Sequence, residues 1–114
     1  MSEIHPQKIE VITQQTTISG DTDKGPYNLA DRAGVGIAWR TATGHPVSLS
    51  MTVKYGTLDQ DGTMVGSEET VALPVGGGVG EGFSELTASN YSFHELLLTL
   101  PDTAVLDYVA ILTR

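Results

Sequence analysis

The chain has 114 residues, 39% of them hydrophobic, and no cysteine, which suits a single soluble domain large enough to bury a core without disulfides. Six basic against 14 acidic residues give a formal charge of −8, so nucleic acid and anionic membrane are poor partners, because either needs clustered Lys or Arg. No apolar run approaches the roughly 18 residues of a membrane span, and zero cysteine removes thiol nucleophiles and thiolate metal sites together.

Residues 1–8 show no period and read as an N-terminal arm ahead of a single domain over 9–114. They lack a basic cap followed by an apolar segment, so no signal peptide is expected and synthesis in the cytoplasm is the default. Residues 9–13 are a first strand, which 16–19 extend after a kink. The stretch 20–26 is dense in turn formers and reads as a surface loop. Tyr27-Asn28-Leu29 begins a short strand, and 30–34 has room for at most one helical turn before Gly34. In 35–41 alternation returns, with Val35, Ile37 and Trp39 on one face and small residues on the other, where another backbone is expected to approach.

The clearest element is Val47-Ser48-Leu49-Ser50-Met51-Thr52-Val53-Lys54-Tyr55, apolar at every odd position and polar at every even one, the period of a half-buried antiparallel strand. Asp59-Gln60-Asp61-Gly62 then reads as a type I turn ending in a left-handed residue. Residues 63–73 pair back as a hairpin arm, with a bulge or bend expected at Gly66. The glycine-rich segment 74–82 reads as a mobile loop, and Phe83 opens another strand. Capping-box spacing at Ser92 and Glu95 favours a helix, but alternation through 93–100 and the stop at Pro101 favour a strand. Residues 104–112 are apolar on both faces except at Asp107, as for a central strand. The whole predicts an all-β protein with little or no helix, an antiparallel β-sandwich of jelly-roll type.

No catalytic or cofactor signature emerges. The glycine segment lacks the Gly-Lys-Ser/Thr ending and the dinucleotide spacing. No Gly-x-Ser-x-Gly elbow is present, and Glu68 and Glu69, adjacent on a strand, face opposite ways. His5, His45 and His94 are too scattered for zinc, and His5 and His45 precede proline in expected turns. Asp21/Asp23 and Asp59/Asp61 place carboxylates two residues apart, as a calcium site would need, but they read first as Asx-type turn formers, so no metal or cofactor is expected. Trp39 and Tyr55 fall on the apolar phase of their strands. Tyr27 with Asn28 and Tyr91 with Asn90 are therefore the residues expected to bind a sugar if the domain is a lectin-like module.

The other expectation is a non-enzymatic structural subunit. An acidic, cysteine-free β domain with an arm, a glycine-rich loop and a strand near its last residue is similar in format to the small decoration or cement proteins that phages place, usually as trimers, on assembled capsids. That resemblance is one of size and composition over the whole chain. It implies a homo-oligomer, most simply a homotrimer, docked on a larger protein shell at the virion surface. The contacts would come from Ile4, His5, Pro6 and Lys8 of the arm and Val75, Gly77 and Val79 of the loop, with no nucleic acid or membrane involved.

Overall fold

A computed structural model describes residues 7–29, 34–86 and 94–113. These fold into β1 (Gln7–Ile12), β2 (Thr16–Thr17), β3 (Thr22–Asn28), β4 (Val35–Thr41), β5 (Ser50–Leu58), β6 (Met64–Ala72), β7 (Glu81–Glu85), β8 (Glu95–Leu100) and β9 (Val105–Thr113). There is no helix among the described residues. One antiparallel sheet has the order β1-β9-β4-β7, with β2 also on β9, and the other has the order β3-β8-β5-β6.

The pairing is nested. β5 pairs β6, β4 pairs β7, β3 pairs β8, and β1 and β2 pair β9. Successive pairs fall in alternate sheets, which is a long antiparallel ribbon rolled up on itself, the jelly-roll form of the β-sandwich.

Alternation decides which side chains enter the core. Met51, Val53 and Tyr55 of β5 lie beside Leu96, Leu98 and Leu100 of β8, with Val53 opposite Leu98 and Tyr55 opposite Leu96. The facing sheet contributes Val35 and Ile37 of β4 and Val109 and Ile111 of β9, all buried. Strand β9 is apolar on both faces because it is central, flanked by β1 and β4; even Ala110 on its outer face is fully covered. Its one acid, Asp107, pairs with Arg40 of β4 at 3.3 Å.

Five local expectations need correction. Residues 22–26, expected in a loop, already belong to strand β3, which is at the edge of its sheet among the described residues. An edge tolerates Gly25-Pro26 because one side needs no ladder bonds, and the register shifts there with Gly25 at φ 105°. Gln7 and Lys8 open β1 rather than closing an arm. Val47 precedes β5, which begins at Ser50, and is 55% exposed. The β5/β6 register runs unbroken through Gly66, which lies opposite Gly56, and a Cβ on either would strike the other strand's backbone. What approaches the small residues of β4 is a side chain: the Phe83 ring covers Gly36.

Candidate functional site

Four loops meet at one end of the sandwich and are bonded to one another. Between β2 and β3, Ile18 exchanges backbone hydrogen bonds with Thr103 and Ala104 of the β8–β9 loop. Asp102 Oδ1 accepts from Gly20 N at 2.7 Å, and Asp21 Oδ1 accepts from Asp102 N at 2.9 Å. The β4–β5 loop is held on β9 by Ala42 N donating to Val105 O, at 2.9 Å.

His45 joins this end together. Its carbonyl accepts from Gly76 N at 2.9 Å, and its ring Nε2 accepts from Val105 N at 3.1 Å. An accepting Nε2 places the ring proton on Nδ1, which is buried and has no hydrogen-bond partner. His45 is thus a buried brace between the β4–β5 loop, the β6–β7 loop and the start of β9. Gly44 makes the approach possible: a Cβ there would overlap Gly76 O and lie 2.8 Å from the Gly77 carbonyl carbon.

The β6–β7 loop is also clamped where it enters β7. Thr41 Oγ1 accepts from Gly80 N at 2.8 Å and donates to Gly80 O at 3.2 Å, while Thr41 N donates to the same carbonyl at 2.8 Å. Gly80 lies against the Pro74 ring, closing the loop's two ends on each other.

On top of this framework is an open depression of about 380 Å³ lined by Gly44, Pro46, Gly76 and Gly77. Val47, Val75 and Val79 stand within two residues of that lining in sequence, and are 55, 59 and 66% exposed. Three of the five exposed large hydrophobics among the described residues therefore occupy two loops tied together. Fully burying an exposed valine is worth about 1.5–3 kcal/mol, and roughly half or more of each of these three remains exposed, so this end carries uncovered apolar surface.

A second apolar feature lies on the outer face of the first sheet. Around Gly34, Val35, Gly36, Phe83, Glu85, Leu112 and Thr113 there is a cleft of about 200 Å³. A Cβ on Gly36 would lie nearest Phe83 Cζ, at near-equal distances of 2.6 and 2.7 Å from Cε1 and Cε2, as for a ring lying flat. One face of Phe83 therefore rests on β4, and the side chain remains 55% exposed.

The residues singled out from sequence fall into three groups. Gly77 lines the depression at the loop end together with Pro46, which sequence reasoning missed, while Val75 and Val79 lie on the same loop as Gly77 and are exposed, as is Val47 next to Pro46. Lys8 lies on edge strand β1, 3.9 Å from Glu10. Ile4, His5 and Pro6, with Asn90 and Tyr91, lie outside the described residues.

Tyr27 is half-buried against the core, and burial raises its phenol pKa; Asn28 beside it is exposed. The two aspartate pairs sit at opposite ends of the sheet: β3 starts beside Leu100, whereas the 59–62 turn lies past Glu95. Each is engaged locally. Asp59 Oδ1 accepts from Asp61 N and Thr63 N, and Asp23 Oδ1 accepts from Thr99 Oγ1. No group of three or more metal-ligating side chains occurs among the described residues. No family model, curated protein or solved structure matches the chain.

Proposed function

We propose that this protein is a non-enzymatic structural subunit, a homo-oligomeric decoration protein that docks on a virion shell through its loop end. The observation that carries the reading is the exposure of Val47, Val75 and Val79, each within two residues in sequence of the lining of a glycine-rich depression, on loops already braced by His45. Bracing lowers the ordering cost of association, which a loose glycine loop would meet in full. A depression lined largely by glycine accepts a partner side chain, and the exposed valines of the same two loops supply apolar contact. The jelly-roll scaffold serves this role by holding its loops on a rigid base.

The test is shell occupancy of Val79→Asp, whose exposed position tolerates the change in the free protein. An unchanged melting temperature with at least about tenfold weaker particle binding is expected, since a carboxylate would be desolvated at the contact. Full occupancy by the variant refutes docking through this end. Light scattering on the free protein should give a fixed mass of three chains across concentration; a monomer throughout refutes the homotrimer.

A further inference from the structure

Strand β1 is the terminal strand of its sheet among the described residues, and the hydrogen-bond phase of that sheet can be followed out to it. Leu86 N donates to Val35 O and Thr41 N to Gly80 O, so the odd residues of β4 bond toward β7. Its even residues therefore bond toward β9, Gly36 to Leu112 and Ala38 to Ala110, which leaves Val109, Ile111 and Thr113 to bond β1. Gln7 and Ile9 stand opposite Thr113 and Ile111 and take those bonds. The N–H and C=O groups of Lys8 and Glu10 then point away from β9, toward the edge.

The Lys8 and Glu10 side chains lie exposed on the outer face, 3.9 Å apart, while Ile9 between them is partly buried against the core. These two charges already answer each other within the chain, and Glu10 also accepts a hydrogen bond from Tyr108. What selects a partner for this edge is therefore the order of its residues and not an unpaired charge.

Three antiparallel registers of a second β1 set these outward residues opposite one another. Centred on Lys8, the pairing places Lys8 against Lys8; centred on Glu10, it places Glu10 against Glu10, and like charges directly opposite are destabilising. Centred on Ile9, it places Lys8 of each copy opposite Glu10 of the other, with both ladder bonds made at each pair and the two Ile9 side chains facing on the core side. Four charges then alternate along the contact, each beside two of the opposite sign. We propose that the edge of β1 is a two-fold contact between copies of this chain, which joins their first sheets into one in the register centred on Ile9. Four ladder bonds and one isoleucine pair make a weak contact. It fills at millimolar concentration, or where a surface crowds the copies together, and leaves the mass of the dilute protein unchanged. The loop end takes no part in it, so either contact can fail without the other.

Backbone amide shifts of the full chain, recorded from micromolar to millimolar concentration, read the contact directly. Saturable, concentration-dependent shifts are expected at Lys8, Ile9 and Glu10, and none at Glu68 on β6. Lys8→Glu and Glu10→Lys each put like charges opposite at both ends of the contact, and each should weaken self-association about tenfold. Mixed in equal amounts, the two variants pair with each other as acid opposite base throughout, so labelled Lys8→Glu should recover the shifts when unlabelled Glu10→Lys is added. Both substitutions in one chain restore the self-complementary order, and that double variant should associate as the parent does. No concentration dependence in the parent, undiminished association of either single variant, or a mixture that associates no better than its components overturns the proposal.

Discussion

Gly44→Ala tests whether the two end loops depend on each other. The added methyl group would overlap Gly76 O and press on the Gly77 carbonyl carbon and Cα at 2.8 and 3.0 Å, all backbone atoms that no side-chain rotation relieves. Overpacking of this kind costs about 1–3 kcal/mol. Separating the loops to relieve it instead breaks the bond from Gly76 N to His45 O, worth about 0.5–1.5 kcal/mol, so the cost lies between about 0.5 and 3 kcal/mol depending on how the strain is taken up. For 114 residues the unfolding entropy is about 0.24 kcal/mol per degree, so the melting temperature should fall by about 2–12 °C. Amide exchange should locate the loss, with Gly76 N–H losing protection while Leu98 N–H in β8 keeps its own. Gly77→Ala is the matched control on the same loop, because a Cβ there meets nothing within 4 Å. A Gly44→Ala melting temperature within about 1 °C of the parent, with Gly76 still protected, would refute the brace between the loops.

Two further outcomes follow from side chains with more than one bond. The Glu69 carboxylate accepting its hydrogen bond, then burial, then the Glu69 charge push the Tyr55 phenol up to about 12 from 10.0. The folded protein therefore holds the neutral phenol while the unfolded chain ionises. Stability from this group is complete below about pH 10 and is lost as pH rises toward about 12. Absorbance at 295 nm should show a latest-titrating tyrosine, at about 12, that disappears in Tyr55→Phe; a Tyr55 midpoint near 10 contradicts the pairing. Thr41→Val leaves Gly80 N–H without its acceptor and should cost about 1–3 kcal/mol. Thr41→Ser should recover most of that in a urea melt, and equal loss from both variants would assign the effect to packing.

The sheets were legible where a strand lies between two neighbours. Strict alternation at 50–55 and the two-sided apolar run at 104–112 correspond to β5 and β9, because burial on one face or both writes itself directly into side-chain polarity. Strand β8 was legible from alternation despite the capping-box spacing at Ser92 and Glu95. Glu95 instead reaches across to Leu58 N at 3.3 Å. The edge was not legible. Strand β3 contains Gly25-Pro26, which argues against a strand wherever both sides must bond, and nothing local says that one side is bare.

Val47 shows the same limit at the loop end. It is in phase with Leu49, Met51 and Val53, so period alone assigns it to the core, yet the strand starts three residues later and the side chain is outside. His45 was legible only in part: before a proline it reads as a turn residue, and it lies in the β4–β5 loop, but the contacts with Gly76 and Val105 that bury it come from far along the chain. In the glycine-rich segment the two valines stand out, since they have no local reason to be in a polar, glycine-dense loop, and both side chains are exposed. Its glycines were harder to read. Composition takes them as freedom, whereas Gly80 is where the chain passes Pro74 and makes three hydrogen bonds with Thr41, donating one and accepting two, and Gly76 is where it is fastened to His45. A residue without a side chain permits mobility and close approach alike, and which one it serves is decided by what the fold brings to within 3 Å of it.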